Sequence, residues 1–383
     1  VTAAAPPAGA TMRFEVLDAL RGICALLVVL FHFNSNGYLA QLPIVQNGWL
    51  FVDYFFVLSG FVIAHSYGTR LTEGRISVAR FMGLRMGRIY PLHLFVLLGF
   101  VSLEMLLVLG GDTIGRYVSR EPFTGSRGIE ALIQNLFLFQ TFGIGKAVGW
   151  NVPAWSIAAE MWTYLVFALV FVVSKGRSAL ASGVLAVVAL LALMSYSPDL
   201  DVTFQGGILR CIFGFGLGVV TYHLFRRFGG SGGSAAEIAA VLVSIIFVSF
   251  AEGALTFLAP VVFGSVVFVL ASQNGGVSQV LKRRSFQFLG LTSYSIYMIH
   301  TFIQGRVGEV LQITKIVAIR VDGAGRTFLE GSPLVADAIT LAMLALVVGA
   351  AYVTYSLVEK PGQALSRRLL AAEPKPASGA GAQ

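Results

Sequence analysis

Apolar runs of roughly 15 to 25 residues alternate with short polar segments along most of the chain, about the length a helix needs to cross a bilayer. The pattern predicts ten such helices, at residues 13–33, 49–67, 90–109, 153–174, 179–196, 207–225, 237–251, 255–272, 286–303 and 334–358. An eleventh run, IEALIQNLFLFQTFG at 129–143, is short and carries Gln134, Asn135 and Gln140. It is expected to lie along the outer interface or to re-enter rather than cross. A loop of about thirty residues is expected after residue 303, in keeping with the mixed composition there.

Charge orients these helices. Arg70, Arg75, Arg80, Arg85 and Arg88 face a single acid, Glu73, in one segment. Lys175 and Arg177, Arg226 and Arg227, Lys282 to Arg284, and Lys360 with Arg367 and Arg368 mark later ones. Lys and Arg gather in cytoplasmic loops. If run 129–143 does not cross, every short basic segment falls on one side, and both termini are cytoplasmic. The fold class is therefore an all-α, polytopic integral membrane helix bundle of about ten transmembrane helices, with the lipid bilayer as its first partner. Of the 383 residues, 56% are hydrophobic and 12% charged, and the mean hydropathy is +0.79. The net charge of +8 then reads as loop topology, not as a nucleic-acid surface. Residues 1–12 are expected to form a disordered tail, 13–361 the single membrane domain, and 362–383 a cytoplasmic tail. Cys24 and Cys211, both in predicted spans, have no disulfide or metal spacing, and no metal is expected.

Ionisable side chains at bilayer depth are costly and usually face a cavity or a partner. The first helix, LDALRGICALLVVLFHF, carries a stripe of them: Asp18, Arg21 and His32. Arg21 and His32 share a face and lie about 16 Å apart along the axis. By depth, Arg21, Arg85, Arg88 and Glu359 fall at the inner side. His32, Asp53, Glu160 and His300 fall in the outer halves of their helices. Arg85 and Arg88, at i and i+3, share a helix face and suit a phosphate, which guanidinium groups grip in two-pronged fashion. Plain positive-inside topology would also account for them. A histidine beside a carboxylate can serve as general base toward a hydroxyl, although a lone intramembrane histidine can also be helix–helix glue. Ser59–Gly60 reads as a close helix contact, as does GFGLG at 214–218. Glu104 has no evident role.

Several of these residues lie in motifs that resemble the membrane acyltransferase-3 superfamily. The first helix resembles that family's opening element, with ten residues between Arg21 and His32. VDYFFVLSGFVIA, with Asp53, Ser59 and Gly60, resembles the second signature. RMGRIYP supplies an Arg-x-x-Arg element, Arg85 and Arg88. WSIAAEMWTY carries Glu160, SYSIYMIH carries Tyr297 and His300, and VEKP resembles the closing motif. The six elements occur in order between residues 17 and 361. The resemblance implies transfer of an acyl group, most simply acetyl, from cytoplasmic acyl-CoA to a hydroxyl of a surface polysaccharide or lipid-linked glycan. It also implies a multi-pass protein of the bacterial cytoplasmic (inner) membrane, here in the form without a fused hydrolase-like domain. His32, Asp53, Glu160, Arg21 and His300 are the expected catalytic group. Arg85, Arg88 and Tyr297 are the expected acyl-CoA contacts, with no permanently bound cofactor. A proton-coupled transporter or flippase is the rival reading of the same intramembrane residues; the inverted repeat that such folds carry is not evident. The sequence does not give an oligomeric state.

Overall fold

The computed structural model describes residues 13–115, 121–144, 149–229, 232–321 and 327–371. The expected N-terminal tail, and the C-terminal one from residue 372 on, lie outside the described residues. Each predicted apolar run is a helix. In order they are α1 (Glu15–Phe31), α2 (Gly48–Thr72), α3 (Val78–Gly111), α4 (Ile129–Phe137) and α5 (Ala154–Val173). Then come α6 (Ser178–Met194), α7 (Gly207–Phe228) and α8 (Ser234–Phe250). The last three are α9 (Gly253–Leu270), α10 (Arg284–Thr314) and α11 (Pro333–Leu370).

Among the described residues, six helices are long and apolar enough to cross a membrane: α2, α3, α5, α7, α9 and α11. The apolar helices α6 and α8 have 17 residues each, roughly 26 Å against a hydrocarbon core of about 30 Å. Helices α1 and α10 are apolar runs broken by polar residues, among them Arg21 on α1 and Ser293 and His300 on α10. Leu109, Val173, Leu180 and Phe250 point outward and are largely exposed, as lipid-facing side chains are.

Four departures from the sequence pattern matter. First, α3 begins at Val78, well before the predicted start at residue 90, so that the helix face shared by Arg85 and Arg88 is part of the spanning helix itself. Second, the run at 129–143 does not cross, as expected, its helix α4 being nine residues long, about 14 Å, but neither does it lie free along an interface. Its polar face is buried: Asn135 accepts from the His93 ring at 2.9 Å and Leu136 from the Tyr90 hydroxyl at 2.9 Å. His93 is thus a core residue at 1% exposure. Third, the predicted thirty-residue loop is mostly structured. α10 runs on to Thr314, and Ala318–Val321 pairs antiparallel with Thr327–Glu330, Ile319 opposite Leu329. This hairpin is stitched to the chain leaving α1, since Asn36 N donates to Leu329 O and Leu329 N to Asn34 O, both at 3.1 Å. Fourth, α11 continues past residue 361 to Leu370, packing on α3 where Gly87 faces Ser366.

Two pairs of helices approach at glycines, where the missing Cβ lets backbones touch. A Cβ on Gly22 or on Gly290 would collide with the other helix of the α1–α10 pair. One on Gly60 would overlap the Phe215 carbonyl, and one on Gly218 the Val57 carbonyl, which locks α2 against α7. Two turns are wound as π-helix, Ala64–Gly68 in α2 and Tyr355–Glu359 in α11. Such turns break the regular ladder and recur at functional sites.

Candidate functional site

A cavity of about 160 Å³ opens where α1, α2, α3, α5 and α10 converge. Three arginines line it, Arg21, Arg85 and Arg88, and the structure gives each a different setting. Arg21 is a strut between α1 and α10. Its Nε donates to Ser293 Oγ at 2.8 Å and its Nη2 to Gly290 O at 3.2 Å, with Asp18 at 3.3 Å. Arg88 is neutralised: Nη1 lies 2.6 Å from Oε1 of Glu359, a carboxylate that is fully buried. Ser295 donates to the other oxygen at 2.7 Å and Gln363 to the first at 3.0 Å. Arg85 donates to the Tyr67 hydroxyl at 3.2 Å and lies over the Tyr67 and Tyr164 rings, 5.1 and 5.8 Å from their centroids. Among the described residues no carboxylate pairs with it, and its buried Nε has no partner. Of the three cations that line the cavity, Arg85 is therefore the one placed to receive an anion.

Glu160 faces the same cavity from α5. Its Oε1 accepts from the Tyr164 hydroxyl at 2.6 Å and from Ser59 Oγ, and these two hydroxyls are 3.0 Å apart. The Ser59–Gly60 pair is thus divided between two faces of α2. Gly60 makes the helix contact that the sequence suggests, while Ser59 belongs to the cavity.

One turn beyond the cavity stand the two histidines. Their ring centroids are 5.0 Å apart. His32 ends α1 with Nδ1 2.8 Å from Val28 O, and His300 holds Nδ1 2.7 Å from Tyr297 O. A carbonyl can only accept, so in each neutral ring Nδ1 carries the hydrogen and Nε2 keeps its lone pair. His300 is fully buried, and its Nε2 has no partner among the described residues. Gln304 fastens the same end of α10 to α1 through Val29 O at 2.7 Å. Tyr297 lies between the cavity and the imidazoles. Its hydroxyl pairs with Ser156 Oγ at 2.8 Å and donates to Pro153 O at 3.2 Å.

Depth alone grouped Asp53 and Glu160 with His32, and the side-chain directions separate them. Asp53 is wholly buried and grips Arg210 with both oxygens, Oδ1 to Nε at 3.0 Å and Oδ2 to Nη2 at 2.7 Å. The guanidinium also donates to Trp49 O at 3.2 Å and is sandwiched between the Trp49 and Trp155 rings, at 5.0 and 5.5 Å. Asp53 therefore serves Arg210 and not an imidazole; each imidazole is oriented by a main-chain carbonyl instead. Arg210 went unremarked in the sequence, although an arginine inside GILRCIFGFGLG is the kind of signal that would have flagged it. Glu104, unassigned from sequence, receives Arg127 at 2.8 Å and the Phe123 amide at 3.1 Å, tying the segment before α4 to α3.

The comparisons with known proteins bear on this arrangement. Residues 14–355 match the model of the acyltransferase domain of the acyltransferase-3 family. The acyltransferase MdmB of Streptomyces mycarofaciens is 26% identical over 401 aligned positions, spanning 96% of each chain. The peptidoglycan O-acetyltransferase OatA of Listeria monocytogenes is 25% identical over 78% of this chain and 50% of its own. "Protein 2 in picA locus" of Rhizobium radiobacter is 35% identical over 41% of this chain and 81% of its own. No solved structure matches. A match over nearly the whole chain, on a bundle with six helices long and apolar enough to cross a membrane, leaves one conclusion: the chain belongs to the acyltransferase-3 family and is a multi-pass membrane O-acyltransferase.

Proposed function

We propose that this O-acyltransferase takes an acyl group, most simply acetyl, from cytoplasmic acyl-CoA and places it on a sugar hydroxyl of a surface polysaccharide or lipid-linked glycan on the other side of the membrane. The observation that carries the reading is the polarity of the site. An arginine-lined cavity stands at one end and a pair of imidazoles with Nε2 lone pairs at the other. They are separated along α1 by about 16 Å, comparable to the reach of a pantetheine arm. Arg85 would take a CoA phosphate, with Arg21 and Arg88, each already paired with a carboxylate, lining the cavity beside it, and Tyr297 would lie along the arm. The acceptor side of the reading rests on relatives named for peptidoglycan O-acetylation. Ten crossings, with both termini cytoplasmic, in a bacterial inner membrane put the arginine end inside and the histidine end outside.

In this reading His32 Nε2 takes the proton of the acceptor hydroxyl as its oxygen bonds to the acyl carbon. The carbon–sulfur bond breaks, and the proton passes on to the departing thiolate. Val28 O holds His32 in the tautomer that this needs. His300 presents a second lone pair beside it and would orient the acceptor by taking a hydrogen bond from a neighbouring hydroxyl. Glu160, held by Ser59 and Tyr164, belongs to the donor end. Asp53 supports the site through Arg210 and Trp155.

The test is a purified His32→Ala protein in lipid nanodiscs. The expected result is loss of transfer from acetyl-CoA to a glycan acceptor, with CoA affinity within about threefold of the wild type, since removing a transition-state contact need not weaken ground-state binding. Full transfer by this variant would overturn the assignment of His32.

A further inference from the structure

Neither imidazole lines the cavity; the wall on that side carries Tyr297, whose ring meets His300, and Phe55 beside it. Along α10, Ser293, Tyr297 and His300 sit on successive turns: the first two line the cavity, and the third lies behind them. The Tyr297 ring lies 5.9 Å from that of His300 on one side. On the other it meets Phe55 of α2 edge to face, with centroids 5.6 Å apart at 87°. The two rings are anchored unequally. Tyr297 is bolted to the start of α5 through Ser156 and Pro153. Phe55 is half-buried and has no polar handle, so apolar packing and edge contacts hold it where hydrogen bonds hold Tyr297.

We propose that Phe55 and Tyr297 form a partition between the donor thioester and the histidine pair, with Phe55 its moving leaf, and that the closed partition keeps water off the thioester until an acceptor is in place. This rests on acyl-CoA being the donor. With the partition intact, the carbon–sulfur bond breaks only as the acceptor oxygen bonds to the acyl carbon. With the leaf removed, water takes the acceptor's place. Its oxygen bonds to the acyl carbon, the carbon–sulfur bond breaks, and the thiolate leaves. One proton of the water goes through His32 to the CoA sulfur, and the other is released as the acid ionises.

The experiment uses the full chain in nanodiscs with acetyl-CoA and no acceptor. Free thiol is followed over time, and CoA binding is measured by calorimetry. Phe55→Ala is expected to bind CoA within about threefold of the wild type and to release thiol at least tenfold faster. Adding His32→Ala to it should return the leak to the wild-type rate, an effect that a merely loosened bundle would not produce. A Phe55→Ala protein that binds CoA normally and does not leak, or a leak that survives His32→Ala, overturns the partition. Should Phe55→Ala fail to bind CoA, Phe55→Leu is read by the same two measurements, with a smaller leak expected and the same two refuting results. A wild type that binds no CoA overturns the donor assignment instead, which is a different result from a wild type that binds and transfers beside a variant that does not leak.

Discussion

Replacing Asp53 tests whether its carboxylate supports the bundle or takes part in the chemistry. Arg210 is 1% exposed and Asp53 not at all, so removing the acid leaves a guanidinium charge buried with two carbonyl contacts, at 3.2 and 3.5 Å, and two indole faces. Breaking a buried pair from one side costs about 3 to 5 kcal/mol, a large share of a typical stability of about 5 to 15 kcal/mol. Asp53→Asn keeps an oxygen that Arg210 can use and loses the charge, for roughly 1.5 to 3 kcal/mol. Asp53→Leu combined with Arg210→Met removes both charges and is expected within about 1 kcal/mol of the wild type or above it, far from the sum of the single changes. The assay is reversible unfolding in mixed micelles titrated with SDS, alongside acyl transfer per folded molecule. Single variants within about 0.5 kcal/mol of the wild type would refute the strut. So would an Asp53→Asn protein of unchanged stability that loses transfer a hundredfold.

Arg85→Ala should weaken CoA binding by about ten- to a hundredfold, the worth of one or two charge-assisted hydrogen bonds, with little change in stability. Arg88→Ala should instead destabilise the fold by about 1.5 to 3 kcal/mol, since buried Glu359 keeps only its bonds from Ser295 and Gln363, and adding Glu359→Gln should recover most of that in the same unfolding assay. Glu160→Gln keeps an acceptor for Ser59 and Tyr164 and should unfold within about 1 kcal/mol of the wild type, whereas Glu160→Leu leaves those hydroxyls only each other and should cost about 1 to 3 kcal/mol. Gly60→Ala drives a methyl into the Phe215 carbonyl and should cost about 1 to 3 kcal/mol, while the same change at Gly349, which has open space around it and an ordinary helical backbone, should cost nothing.

The helices were legible because bilayer length and apolar runs leave few alternatives, and the depth of each polar residue followed from its place in a run. Depth is one coordinate out of three. Asp53 and Ser59 are six residues apart on one helix, which turns them about 120° from each other. One meets α7 and the other meets the cavity, and the sequence had no means of saying which. Arg88 finds Glu359 and Asp53 finds Arg210 across 271 and 157 residues of chain. The sequence placed the two histidines at similar depths. It could not bring their rings together, and it supplied a carboxylate to orient His32 where the helix's own carbonyl does so. The hairpin after α10 was invisible because its strands are four residues each, too short for a period-two pattern to stand out.

The two π-helical turns hold the residues that distinguish Arg85 from Arg88: Tyr67 lies in one and Glu359 in the other. A π turn is in effect an α-helix with one residue inserted, the extra residue being taken up by a local widening that re-aims the side chains within the turn. The electrostatic setting of the arginine-lined cavity is therefore adjustable by counting residues as well as by exchanging them. Deleting one residue from 355–358 would draw the turn back to the α repeat and displace the Glu359 carboxylate that this turn holds against Arg88, without substituting any side chain that lines the cavity. Insertions and deletions, ordinarily accidents of loops, become here a way of uncovering a second guanidinium for an anion.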